Sequence, residues 1–386
     1  MKEGAATQTA TSQIVTSALK GVSDRCQGDH LATFDSMSRI VQRQRKKLHA
    51  PPPAPSTAGE TVIPPEFQLD SNGNRFLLSD SYTRSGKRVV VFATDKNLAQ
   101  LENSTITFLD GTFATAPAGW YQVFIIRIYL ADTKDHIPVA FCLLENKTKD
   151  SYKMALNCLK EAAPEWGPVG FLSDYETAII RAVEDLFPDS WMQGCNFHLD
   201  QALLKHMKNV PGFTTKQDLQ EMLYHLFGMA FLPPGEVAEA WTDYKHLLFS
   251  KFPESEDFCD YVESTWVDGR YKCKQWNCYD RTLAGQPRTN NVSEGGNNGL
   301  RLAMGCAKPV IWKFIETIRN VQIKSDFKIN QFMSGGSNVS KKKKSEVKRQ
   351  EMMSRLVRDY SFVDREQRLG FVRKMSHFSS TQKRRG

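Results

Sequence analysis

Apolar residues follow two rhythms along this chain. Between Arg75 and Leu144 they come in short runs rich in β-branched and aromatic residues: Phe76-Leu-Leu78, Val89-Val-Val-Phe92, Thr105–Leu109, Tyr121–Leu130 and Ile137–Leu144. Runs of that composition, bounded by turn residues, predict strands. A short helix, Asn97–Leu101, falls among them. Thr112–Gly119 and Asp132–Asp135 separate the last three strands, which therefore form a meander. After Leu144 the spacing becomes helical: Tyr152, Ala155, Leu156, Leu159 and Ala163, closed by Pro164 and Gly167. Val169–Leu172 predicts a fourth strand of this set. Ala178, Ile179, Ala182, Val183 and Leu186 mark a second helix, closed by Pro188. A short strand then leads through Cys195 to a helix from His198 to Val210. The order β-β-β-α-β-α predicts an α/β fold with a mixed sheet, the meander plus parallel strands, flanked by helices.

The remainder is helical or irregular. Residues 213–285 carry no strand pattern and read as an α-helical insertion. Asn291–Met304 is a helix broken by Gly305, and Val310 to Phe332 a long amphipathic one. The N-terminus is polar, with a helical pattern ending in the basic run Arg39–Lys47. Pro51-Pro-Pro-Ala-Pro55 and Pro64-Pro65 impose extended chain. The resulting division is 1–50, a polar and basic segment; 51–74, a Pro-rich linker; 75–211, the first part of the α/β domain; 212–285, the insertion; 286–333, its final part; and 334–386, a basic tail.

Charge sharpens this picture. The chain of 386 residues has a net charge of +8. Residues 341–386 contain 15 Lys/Arg and 5 Asp/Glu, a net of +10, so the rest sums to −2. A basic tail, led by Lys341, Lys342, Lys343 and Lys344, suits a polyanion or a nuclear address; a solvated end is the alternative. Nothing approaches the roughly 20 apolar residues of a membrane span, so no membrane partner is expected. The first residues lack a secretory h-region. Eight cysteines in this length read as reduced thiols of an intracellular protein.

Three acids sit at element ends: Asp110 after a strand, Asp174 after another, and Glu294 in the first turn of the post-insertion helix. Carboxylates at adjacent strand C-termini can converge. Three of them repel unless cations neutralise them, and their hard oxygens suit Mg²⁺ or Mn²⁺. Two such ions, about 3.5–4 Å apart, can activate an attacking oxygen and stabilise a leaving oxygen at a phosphodiester. Each acid also has a purely local reading. Asp110-Gly111 could be a turn, Asp174 a helix cap, and Asn291–Glu294 a capping box.

The surroundings of these acids carry more than spacing. Phe108-Leu-Asp110-Gly-Thr-Phe113, Ser173-Asp174-Tyr-Glu176, Cys195-Asn-Phe-His198 and Asn290-Asn-Val-Ser-Glu294-Gly-Gly-Asn297 follow one another over residues 75–333. The segment resembles the Mutator-like element (MULE) transposase domain, an Asp-Asp-Glu transposase with an RNase H-like fold and a helical insertion before the Glu. The resemblance implies catalytic and metal-binding roles for Asp110, Asp174 and Glu294. It implies cleavage of double-stranded DNA at element ends, 3′-hydroxyl attack on target DNA, a homo-oligomer and a nuclear location. Cys195, His198, Asn290 and Asn291 are then supporting residues, and Arg281 and Arg288 candidate phosphate contacts.

Zinc is not expected. Cys195 and His198 supply half a site, with Cys273 and Cys278 as the conceivable remainder, and Cys26 and His30 are too few for an N-terminal finger. Trp241, Trp266 and Trp276 are read as core, with base stacking as the alternative. Two other functions remain open: a domesticated, inactive DNA-binding derivative, and a helical interaction module on an inert scaffold.

Overall fold

In the computed structural model, which describes residues 11–20, 32–48, 53, 55–130, 136–334, 344–361 and 364–379, the apolar runs pair into one seven-stranded sheet of order β1-β2-β5-β4-β3-β6-β7. The strands are β1 (Leu77–Tyr82), β2 (Arg88–Phe92), β3 (Ile106–Thr112), β4 (Gln122–Tyr129), β5 (His136–Leu144), β6 (Gly170–Ser173) and β7 (Trp191–Gly194). β3, β4 and β5 form the expected antiparallel meander. β6 adds to β3 in parallel, and β7 to β6. Parallel pairing needs crossovers, which the helices Lys149–Ala162 and Thr177–Leu186 provide. β1 and β2 extend the β5 edge as an antiparallel hairpin. This is an RNase H-like mixed sheet.

Both faces are covered, which is why its central strands are continuous apolar runs rather than alternating ones. Val89, Val91, Phe124 and Ile126 meet Tyr152, Leu156 and Leu159 on one side. Val90, Phe92, Val123 and Ile125 meet Leu300, Ile311, Trp312 and Ile315 on the other. The second layer comprises the helices Asn291–Met304 and Ile311–Met333.

The chain divides into two units, Met1–Pro55 and Ser56–Gly386. In the first, helices Thr11–Leu19 and Phe34–Leu48 pack Ile14 and Val15 against Met37 and Val41. The first of these helices is not among the elements that the apolar spacing predicts. In the second unit the expected linker, 51–74, proves too long. Ala58, Ile63 and Phe67 are buried with Val90, Phe92 and Trp312, and the Phe67 ring lies 4.8 Å from that of Trp312. The prolines mask three residues that belong to the core.

The insertion consists of helices joined by short turns and loops and contains no strand among its described residues. Trp241, Trp266 and Trp276 are buried in it and join the main core. The tail expected at 334–386 requires a correction. Helices Lys344–Arg358 and Arg365–Ser376 fold onto the insertion, and Met353, Val357, Phe371, Val372 and Met375 are core residues. Helical spacing hides an apolar stripe between the basic residues. Gly228 permits the close approach, since a Cβ there would lie 1.9 Å from the Val372 carbonyl oxygen. Arg368, only 1% exposed, pairs with Glu239 at 3.1 Å and Asp243 at 2.5 Å. Lys344 is exposed at the start of its helix; Lys341, Lys342 and Lys343 lie outside the described residues.

Candidate active site

β3 and β6 run parallel with Ile106 opposite Gly170 and Phe108 opposite Leu172. Continued by two residues, this register sets Asp110 beside Asp174. The 64-residue spacing of the two acids is thus the strand register itself, and neighbouring strands lie about 4.8 Å apart. Asp110 sits within β3, paired with Ile125, so it is not in a turn. The helix after Asp174 begins at Thr177 and is preceded by Glu176 without a side-chain cap, so Asp174 does not cap it.

Glu294 reaches the same region through three anchoring bonds. The Asn290 side chain donates to the Leu109 carbonyl at 3.3 Å. Its backbone N–H donates to the Cys195 sulfur at 3.1 Å. The Asn196 N–H donates to the Arg288 carbonyl at 2.9 Å. The start of the Asn291–Met304 helix is thereby fixed to the residue before Asp110 and to the start of the Asn196–Met207 helix. The capping box does not form: Asn290 is the N-cap, makes no side-chain cap bond, and Glu294 is the fourth helical residue.

His198 closes the gap between the acids. Its Nδ1 lies 2.8 Å from Asp174 Oδ1 and its Nε2 3.3 Å from Glu294 Oε1. The Nδ1–Oδ1 approach is one of charge rather than an aligned hydrogen bond, because neither atom has a hydrogen-bond partner of good geometry. Burial pushes the imidazole down, but its interactions with Asp174 and Cys195 outweigh that and raise it to about 11. A cationic side chain therefore spans two of the three carboxylates. Among the described residues no group of three His, Cys, Asp or Glu is arranged, as it stands, to hold a metal ion.

Asp110 is the most buried of the acids, at 8% exposure. Burial, and after it the Asp174 carboxylate, push its pKa up to about 7 against the opposing pull of Arg127. Asn297 connects the two: its amide nitrogen donates to Asp110 Oδ2 at 2.6 Å, and its oxygen accepts from Arg127 at 2.9 Å. Arg127 itself is buried, and burial lowers it to about 10. The second glycine of Glu294-Gly-Gly-Asn297 has a steric reason. A Cβ on Gly296 would lie 2.7 Å from the Arg127 guanidinium carbon, so a side chain there would push the guanidinium out of its place.

Residues 106–202 match the family model of the MULE transposase domain. The chain carries a MULE transposase domain. The match takes in Asp110, Asp174, Cys195 and His198 and ends before Glu294. No curated protein matches the chain.

The fold brings Asp174, Glu294, His198, Cys195 and Asn290 together and sets Asp110 beside Asp174 by register. Asn291 is exposed at the start of its helix. Arg281 and Arg288 are corrected: they are 2% and 9% exposed and serve as internal braces. Arg281 donates to the Cys278 sulfur at 3.1 Å, and Arg288 to Gln350. The cysteines are likewise engaged separately, Cys278 beside Asn196 and Cys273 beside Pro234. Sequence reasoning misses Arg127 and Asn297. Arg127 has a visible signal, a lone charge inside the apolar run Val123–Leu130.

Proposed function

We propose that this transposase-family chain is a DNA-cleaving and DNA-joining enzyme in which Asp110, Asp174 and Glu294 hold two Mg²⁺ or Mn²⁺ ions. The observation that carries the reading is the convergence of three distant acids. Two share a parallel strand register, and the third meets His198, which also touches Asp174. The donor set fits hard divalent cations. Asp110 is raised by burial and by its neighbour's charge, a strain that a cation would relieve.

Ions held there would supply Lewis acidity to the attacking and leaving oxygens of a phosphodiester. The chain's own residues do the rest. Asn297, itself held by Arg127, fixes the Asp110 carboxylate through its Oδ2. His198 spans Asp174 and Glu294 and would have to move aside if both carboxylates held an ion. In the proposed reaction, water adds to the phosphorus at an element end and the bond to the 3′-oxygen breaks. The freed 3′-hydroxyl then displaces a bridging oxygen in double-stranded target DNA, so the number of phosphodiester bonds is conserved in the second step. A nuclear location and a homo-oligomer that pairs two ends belong to the same proposal.

The test is nicking of supercoiled plasmid with Mg²⁺ or Mn²⁺. Asp110→Asn, Asp174→Asn and Glu294→Gln should each reduce nicking to background, and calorimetric titration with Mn²⁺ should show binding in the parent chain that the variants lose. Undiminished nicking in Glu294→Gln would remove the third ligand. DNA binding without any nicking by the parent chain would favour the domesticated, inactive alternative.

A further inference from the structure

A groove of about 740 Å³ opens beside Asp174 and His198 and runs along the insertion. One wall is the segment from Asp174 to Ala178. The other is formed by Tyr261, Trp266, Arg270 and Tyr271. Two bonds fix the walls to each other: the Tyr271 hydroxyl donates to the Tyr175 carbonyl at 2.6 Å, and Arg270 donates to Thr177 Oγ1 at 3.1 Å. The insertion is therefore gauged directly against the residues that follow Asp174.

The chemistry of the lining is specific. The rings of Tyr175, Trp266 and Tyr271 form one cluster: Trp266 stacks on Tyr271 at 5.0 Å, and Tyr175 stands edge-on to Trp266 at 4.9 Å. Tyr261, half-buried, lies flat on His206 at 3.4 Å. The backbone that presents Trp266 is a turn of π-helix, Glu263–Val267, a conformation often found at functional sites. Arg270 is exposed, stands over the Tyr271 ring at 5.3 Å, and has no carboxylate within ion-pair range among the described residues. Lys147 is exposed on the same rim. Glu176, the acid of the groove other than Asp174, is occupied by the Tyr152 hydroxyl at 2.8 Å.

We propose that this groove binds an unpaired stretch of the DNA strand adjoining the scissile phosphodiester, with Arg270 and Lys147 on its phosphates and Tyr261 against a base. Aromatic faces serve unpaired bases because duplex bases already stack on each other, and exposed cations serve the backbone of either form. A volume suited to one small ligand admits a nucleotide-sized occupant. The assignment rests on the transposase reading above.

Fluorescence anisotropy of the full chain with two labelled probes, a blunt duplex and the same duplex with a single-stranded thymidine tail, tests it. The tailed probe should bind about tenfold more tightly, and Tyr261→Ala or Arg270→Glu should remove most of that margin while leaving blunt binding within about twofold. Lys147→Glu, at an exposed position, repeats the test where Arg270→Glu fails to fold. Equal binding of both probes by the parent chain overturns the proposal. Equal weakening of both probes by the variants also overturns it. Asp110→Asn separates the two readings: it should abolish nicking and keep the preference for the tail, whereas nicking with no such preference ends this proposal alone.

Discussion

Gly296 shows how a single hydrogen atom in place of a methyl group shapes this site. The Glu294 helix passes so near β4 that a Cβ would meet the Arg127 guanidinium. That guanidinium holds Asn297, which holds Asp110. Gly296→Ala should therefore displace Arg127 and misorient the Asp110 carboxylate. Helix propensity favours Ala over Gly by about 1 kcal/mol, which offsets the crowding. Plasmid nicking is expected to fall about tenfold while the melting temperature stays within a few degrees. Retained nicking would show that Arg127 does not position Asp110. Neither Arg127 nor Asn297 could be paired from sequence, because 170 residues separate them and only the register of β4 brings them to one face.

The helix Asn196–Met207 joins the site to the C-terminal segment. His198 faces the acids, while Asp200, two residues on, is buried on the opposite side and accepts from the Ser379 hydroxyl at 2.5 Å. Burial raises Asp200 from 3.8 to about 7. The folded state then binds more protons than the unfolded state between those values. Stability from this group is full below the unfolded pKa and is lost as pH rises through the folded one. Asp110 contributes in the same direction. Thermal melts should show Asp200→Asn with a shallower decline from pH about 4 to about 7 than the parent chain; identical slopes would mean that Asp200 does not titrate there. The C-terminal helices are equally structural. Phe371→Ala should cost about 3–5 kcal/mol, read as a lower urea midpoint, whereas a surface tail would show no change.

Across the whole molecule, the positive charge concentrated in 341–386 is divided between two roles: part of it is bonded into the fold through the buried Arg368 and the half-buried Arg349, and part is exposed, beginning at Lys344. Replacing Lys341, Lys342, Lys343 and Lys344 by Ala should lower the salt slope of DNA binding by about 0.9 for each phosphate that the run neutralises. An unchanged slope would take the run out of the interface. The strands and the crossover helices were legible in the sequence because each depends on local periodicity. Register fixed the rest. The pairing of β3 with β6, invisible in either strand alone, turned two acids 64 residues apart into neighbours, and the bonds from Asn290 carried Glu294 to them across the insertion. The same long-range packing decided against the sequence where composition misled, burying Arg281, Arg288 and the apolar face of the C-terminal helices. Charge says what a side chain can do in water, and only tertiary packing decides whether water reaches it.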